Sequence, residues 1–152
     1  MRILVLSDSH GKTRNFIKAV KQHRDAEKIF FLGDGLRDYE EACRQFPDRI
    51  FYAVRGNCDF CARLPDVDTA PTRYGNIFYT HGDRFFVKGG YQHLLSAGRQ
   101  TGARLLLFGH THCPLARYED GIYLFNPGSL AQGSYGLCDL LESGISMNHL
   151  SI

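Results

Sequence analysis

Five short apolar runs, each broken at its end by glycine or a polar residue, constrain this chain most strongly. They cover residues 3–6, 28–32, 50–54, 77–79 and 104–108. Runs of this length, closed by turn residues, read as buried strands. Between several of them the apolar residues recur at helical spacing: over 15–23 (Phe16, Ile17, Val20), over 38–45, and over 91–101 (Leu94, Leu95, Ala97). Alternation of strand and helix predicts βαβ units and a largely parallel sheet.

The pattern changes after Pro114. Residues 115–119, 122–125, 135–141 and 145–150 are separated by Asp120-Gly121, Asn126-Pro127-Gly128 and Ser143-Gly144. Those are hairpin and turn signals. The C-terminal third is therefore expected to be antiparallel, as a second sheet or an extension packed on the first. With 152 residues, 43% of them hydrophobic, the chain can bury one sizeable core, so a single domain over 1–152 is expected.

Charge and cysteine content narrow the surroundings. Eighteen Lys and Arg against sixteen Asp and Glu leave a net charge of +2, and no run of like charge forms a basic tail, so a nucleic-acid partner is not indicated. The apolar opening is too short for a signal peptide or a membrane span. Five cysteines without regular spacing form no disulfide framework, which agrees with a reducing, cytoplasmic setting. A homo-oligomer is compatible with the sequence.

In open α/β sheets, ligands gather outside the carboxyl ends of the strands. Here those ends carry Asp8-Ser9-His10, Gly33-Asp34, Gly56-Asn57-Cys58-Asp59, His81-Gly82 and Gly109-His110-Thr111-His112. Any one of these is an ordinary turn or a structural histidine. Four histidines, two aspartates and an asparagine at five strand ends are costly together without shared partners. Metal ions supply such partners, and this nitrogen and oxygen set suits Mn, Fe, Ni, Co or Zn. Seven ligands exceed the needs of one ion, whereas two ions sharing a carboxylate use them all. Glycines at 11, 33, 56, 82 and 109 allow close backbone approach.

The ordered set Asp-x-His, Gly-Asp, Gly-Asn-x-Asp, His, Gly-His-x-His resembles the calcineurin-like metallophosphoesterase superfamily. The short length and the Gly-Asn-Cys-Asp variant resemble its compact bacterial and archaeal phosphodiesterases, and Asn126-Pro127-Gly128-Ser129 resembles a late loop of that subgroup. The resemblance implies an α/β fold of two packed mixed β-sheets flanked by helices. It implies two divalent transition-metal ions, manganese foremost, one held by Asp8, His10, Asp34 and His112 and the other by Asp34, Asn57, His81 and His110. Asp34 would bridge them beside a shared hydroxide that attacks phosphorus in line. Asp34, Asn57, His110 and Cys58 stand as the catalytic candidates, and the implied substrate is a small phosphate ester.

Cys58 departs from the superfamily's usual histidine, which assists the leaving group. A thiol with an ordinary pKa of about 8.5 is a poorer proton donor to an alkoxide. Cys58 and Cys61 also form a C-x-x-C pair, but a redox dithiol leaves the histidines without a role, and a structural zinc site lacks a close second pair. Arg37, Arg55, Arg84 and Lys88 could reach a phosphate but read first as surface charges. His23, His93 and His149 read as surface or structural, and Asp59 as either a turn residue or a carboxylate that orients a ligand. No cap insertion separates the motifs, which favours a diester over a monoester. The alternatives are a phosphomonoesterase with the same metals, or a protein-binding scaffold of the same fold, like the retromer subunit resembling this superfamily.

Overall fold

Alternation along the first strand decides which faces are covered. In the computed structural model, which describes residues 1–152, β1 (Arg2–Leu6) buries Ile3 and Val5 on one side and Leu4 and Leu6 on the other. Side chains of a strand point to opposite faces in turn, so a run apolar at every position must be covered twice. β2 (Lys28–Phe31) repeats this arrangement: Phe30 shares a cluster with Ile3 and Val5, while Ile29 and Phe31 join the other.

One cover is a second sheet and the other is helical. The first sheet runs β10-β9-β1-β2-β3, with β3 at Phe51–Ala53, β9 at Ser134–Leu141 and β10 at Gly144–Ser151. The second runs β4-β5-β6-β8-β7, with β4 at Val67–Ala70, β5 at Asn76–Thr80, β6 at Ala103–Leu107, β7 at Leu115–Glu119 and β8 at Ile122–Asn126. Between them lies a core that includes Ile3, Val5, Phe30 and Leu32 from one sheet and Ile77, Tyr79, Leu105, Leu107 and Phe125 from the other. Each such side chain, fully buried, contributes roughly 1.5–3 kcal/mol.

Helices α1 (Thr13–Gln22) and α2 (Leu36–Gln45) cover the outside of the first sheet through Phe16, Ala19, Val20 and Ala42. Helix α3 (Gln92–Gln100) covers the second through Leu94 and Leu95, against Phe78, Leu106 and Leu124. No helix is long and apolar enough to cross a membrane.

The two mixed sheets and flanking helices agree with the sequence reading; the division of strands does not. β5 and β6 are not in the sheet of β1 and β2, and the C-terminal third makes no sheet of its own. β8 inserts parallel beside β6 with β7 on the edge, while β9 pairs antiparallel with β1. β4 gives no sequence signal: Val67-Asp68-Thr69-Ala70 has two polar residues in four, as an edge strand allows, and so lacks an apolar run. The consequence for function is positional. The loops after β1, β2, β3, β5 and β6 meet where the two sheets abut.

Candidate metal centre

Backbone geometry sets the predicted ligands apart before their side chains are considered. Asp8, His10, Asp34, His110 and His112 all have positive φ, between 43° and 65°. Left-handed backbone is uncommon away from glycine, though Asp, Asn and His tolerate it best, and such residues cluster at functional sites. Cross-strand hydrogen bonds hold these turns. Asp8 N–H donates to Gly33 O at 2.9 Å, His10 N–H to Asp34 O at 3.0 Å, and Gly109 N–H to His81 O at 2.9 Å.

All seven predicted ligands are linked by close side-chain atoms. His112 Nε2 stands 3.1 Å from Asp8 Oδ1 and 3.3 Å from His10 Nε2. His81 Nε2 stands 3.0 Å from Asn57 Oδ1, 3.2 Å from His110 Nδ1 and 3.5 Å from Asp34 Oδ2. The same Asp34 Oδ2 is 4.0 Å from His10 Nε2. Asp34 thus links His10, beside Asp8 and His112, to His81, beside Asn57 and His110, so all seven residues form one connected cluster. Asp8, Asp34 and His81 form a buried floor, while His10 and His112 are 35% and 37% exposed at the open side.

Two features fit cations in this cluster. Asp8 Oδ1 is buried and accepts no hydrogen bond, whereas Oδ2 accepts from Ser7 Oγ at 2.6 Å and from His110 N–H at 3.1 Å. A buried carboxylate oxygen without a donor costs about 1–3 kcal/mol or more. The second feature is the His81 ring. Leu32 O, 2.7 Å from Nδ1, can only accept, so it takes a hydrogen bond from Nδ1–H and leaves Nε2 as the ring nitrogen that faces Asn57 Oδ1 at 3.0 Å. An imidazole nitrogen and an amide oxygen that face each other are both ligand donors of the kind a cation accepts. Burial, with the charges of His81 and Lys88, lowers the pKa of His110, which favours its neutral, ligating form. Asp8, His10 and His112, and likewise Asp8, Asp34 and His81, offer ligand atoms within 4.8 Å of one another.

Cys58 sits within the same distance of His10 and Asp34. Its thiol is pushed up to about 11, first by burial, then by the hydrogen bond and charge of Asp34 and by Asp59 and Asp8. Cys61 is exposed, Cys138 is buried between the sheets, and all five cysteines are free, so no second pair completes a zinc site.

Several residues that hold the centre gave little sequence signal. Asp59 is 6% exposed and accepts four backbone N–H bonds: from Asp34 at 2.7 Å, Gly56 at 2.9 Å, and Gly35 and Leu36 at 3.0 Å each. It orients the Asp34 loop through the backbone, which decides between the two readings of this residue. Asp38 accepts from Ser9 Oγ at 2.6 Å, Gly11 N–H at 2.9 Å and Thr13 Oγ1 at 2.5 Å, fastening the His10 loop to α2. Asn126 donates to Gly109 O at 2.8 Å and Thr111 Oγ1 at 3.0 Å, and Ser129 Oγ donates to Asp8 O at 2.9 Å. Polar residues of this kind also populate ordinary turns, so only their burial distinguishes them.

Among the glycines, Gly56 and Gly109 leave no space for a side chain. A Cβ would fall 2.1 Å from Asp34 Oδ1 at Gly56, and 2.0 Å from Ser7 Oγ at Gly109. Gly11 differs, having open space, so its φ of +83° is what favours glycine there.

The remaining candidates lie apart. Asp66 engages Arg55 at 2.7 Å and Arg84 at 3.0 Å, while Arg37 and Lys88 make no ion pair. His23 bonds the Tyr135 hydroxyl at 3.0 Å, His149 bonds Asn126 O at 2.8 Å, and His93 lies beside Phe86.

Known proteins resemble the chain in sequence and in fold. The calcineurin-like phosphoesterase superfamily domain matches residues 1–140. Phosphodiesterase YfcE of Escherichia coli is 34% identical, covering 100% of this chain and 95% of that protein. The probable metallophosphoesterase YsnB of Bacillus subtilis is 29% identical, covering 86% and 75% respectively. Among solved structures, a conserved uncharacterised protein of Streptococcus pneumoniae, described as a predicted phosphoesterase, superposes with a TM-score of 0.88 at 27% identity, over 99% of this chain and 88% of that one. Vps29 of Entamoeba histolytica complexed with zinc shares the fold, with a TM-score of 0.74 at 19% identity over 99% of each chain.

Proposed function

The chain belongs to the calcineurin-like phosphoesterase superfamily, and from that footing we propose that it is a phosphodiesterase working with two divalent transition-metal ions, manganese foremost. The observation that carries this reading is the place of Asp34 Oδ2, between His10 at 4.0 Å and His81 at 3.5 Å, where one carboxylate can serve two neighbouring ligand groups. Asp8, His10, Asp34 and His112 would hold one ion, and Asp34, Asn57, His81 and His110 the other. When bound, such ions lower the pKa of water toward neutrality and neutralise charge on phosphoryl oxygens.

The protein's own part is to aim its donors and hold them. Leu32 O fixes the His81 ring with Nε2 inward, and the His110 N–H and Ser7 hydroxyl occupy Asp8 Oδ2 so that Oδ1 faces the cluster. Cys58 N–H occupies Asp34 Oδ1 at 2.7 Å, which leaves Oδ2 for the shared position. His10 and His112 stand at the open side, where a phosphate ester would enter. The nearby Cys58 thiol is pushed up by burial and by Asp34, and a thiol is a poorer proton donor than an imidazolium, so it gives little help to a basic leaving group. The short, cap-free chain favours a diester over a monoester.

The test is hydrolysis of bis(p-nitrophenyl) phosphate against p-nitrophenyl phosphate, after chelation and after readdition of single metals. Activity should vanish on chelation and return with Mn²⁺ better than with Ca²⁺, because hard Ca²⁺ does not favour an imidazole-rich set. Undiminished turnover by the stripped protein would refute the metal assignment. A higher kcat/KM on the monoester would refute the diesterase assignment.

A further inference from the structure

Beside the metal centre lies a cleft of about 390 Å³ whose lining includes His10, Asp34, Arg37, Cys58, Phe60 and Cys61. Its size falls in the range of small-ligand pockets, about 300–1,000 Å³. Two of its walls are not accounted for by the centre itself.

Phe60 is 86% exposed, more than any other large apolar side chain of the protein. The other exposed rings have aromatic neighbours: Phe86 lies 6.0 Å from His93, and Tyr118 lies 4.7 Å from Tyr123. Phe60 has none. Its loop is nevertheless anchored, because the preceding residue is Asp59, whose carboxylate takes four backbone N–H groups. An unpartnered apolar ring on a fixed base at the mouth of a polar cleft is the pattern of a ligand contact. Arg37, in the same lining, is exposed and makes no ion pair, whereas Arg55 and Arg84 are both held by Asp66. Of the charged lining residues, Asp38 and Asp59 are taken up by hydrogen bonds and Asp34 belongs to the centre, so the cleft offers one free cationic side chain and one free aromatic ring next to the candidate ligands.

We propose that this cleft is a substrate subsite for a planar aromatic group carried on the phosphate, with Phe60 stacking on the ring and Arg37 attracting the anionic charge. The inference deepens the phosphodiesterase reading and rests on it; it makes diesters with an aryl group on the phosphate, whose leaving groups need no proton, the favoured substrate class. An edge or face contact with a ring suits Phe60, since aromatic pairs gain beyond their buried area. A methyl ester reaches the metals and Arg37 but has nothing to lay against Phe60.

The test is binding, by titration calorimetry of the metal-loaded protein with phenyl phosphonate and methyl phosphonate, neither of which can be hydrolysed. The wild type should bind the phenyl compound roughly 5–10-fold more tightly, the size expected of one aromatic contact. Phe60→Ala should reduce that preference to about 2-fold or less with methyl phosphonate affinity unchanged, and Phe60→Tyr should keep it. Arg37→Ala should weaken both compounds by the same factor. Full phenyl preference in Phe60→Ala, or equal loss for both compounds in that variant, would overturn the subsite. Because no turnover is read, a protein that keeps the phenyl preference yet hydrolyses no diester would refute the proposed function and leave the subsite standing.

Discussion

Replacing Asp59 with alanine should cost this protein more than removing any of its exposed charges, although Asp59 is itself assigned to no metal. Its two carboxylate oxygens accept from the backbone N–H groups of Asp34, Gly35, Leu36 and Gly56 at 2.7–3.0 Å, and the residue is 6% exposed. Each buried donor left unpaired costs about 1–3 kcal/mol. Water entering the space left by the carboxylate will satisfy some of the four, so the expected loss for Asp59→Ala is roughly 3–6 kcal/mol. Asparagine keeps one acceptor oxygen but turns an NH₂ toward two N–H donors, so Asp59→Asn should lose about half as much, roughly 2–3 kcal/mol. Against a total stability of about 5–15 kcal/mol these are large fractions. Urea unfolding of the metal-free protein reads them directly, and comparing it with wild type under the same chelator removes metal affinity from the difference. The same bonds hold Asp34 in its left-handed conformation, with φ of 58°. Metal affinity should therefore fall in the Asn variant even where it remains folded. An unfolding free energy for Asp59→Ala within 0.5 kcal/mol of wild type would refute the reasoning, since four orphaned amides cannot be that cheap.

Two further predictions concern single side chains. Cys58→Ala should keep most of its activity on aryl diesters, whose leaving groups need no proton, and Cys58→His should raise activity on alkyl esters more than on aryl ones, since general acid catalysis contributes on the order of 10²–10⁴-fold where it is needed. Values of kcat/KM for one aryl and one alkyl diester at matched metal content check this, and collapse of aryl hydrolysis in Cys58→Ala with both metals bound would make the thiol a direct participant. His23 has its pKa lowered, chiefly by burial, so the unfolded chain binds its proton more tightly than the folded one. Stability from the neutral ring is complete above the ordinary histidine range, declines as pH falls through it, and levels off below the folded pKa. Melting of the chelated protein at pH 7.5 and pH 5.5 should show a smaller acid loss in His23→Gln than in wild type, and equal losses would contradict it.

The sequence carried the strands and the donor types of the centre because both are local properties. An apolar run such as 104–108 must be buried wherever it pairs, and Asp8-Ser9-His10 ends its strand whichever sheet holds it. Pairing partners are not local. Nothing in residues 122–125 says that β8 lies parallel between β6 and β7, so the assignment of strands to two sheets was out of reach. β4 was lost for a different reason: Asp68 lies on an exposed face of an edge strand, and its polarity cancels the apolar signal of Val67 and Ala70. The left-handed backbone of five candidate ligands is likewise invisible, because Asp and His tolerate that conformation without requiring it. The supporting roles of Ser7, Asp38, Asn126 and Ser129 are not legible either, because a polar residue in a turn looks the same in sequence whether it faces water or fastens a loop. Asp59 could be seen as one of two things, and the choice needed its four bonds.

The central claim is that one carboxylate, Asp34, serves two metal ions, and metal stoichiometry tests it most directly. Elemental analysis of the wild type after loading with Mn²⁺ and removal of free ion should give two ions per chain, with bis(p-nitrophenyl) phosphate hydrolysis rising as both sites fill. Asp34→Asn removes the charge common to both sites, so it should hold one ion or fewer and lose nearly all turnover, while His23→Ala, far from the centre, should match wild type in both measurements. Two ions per chain and full activity in Asp34→Asn would contradict the account.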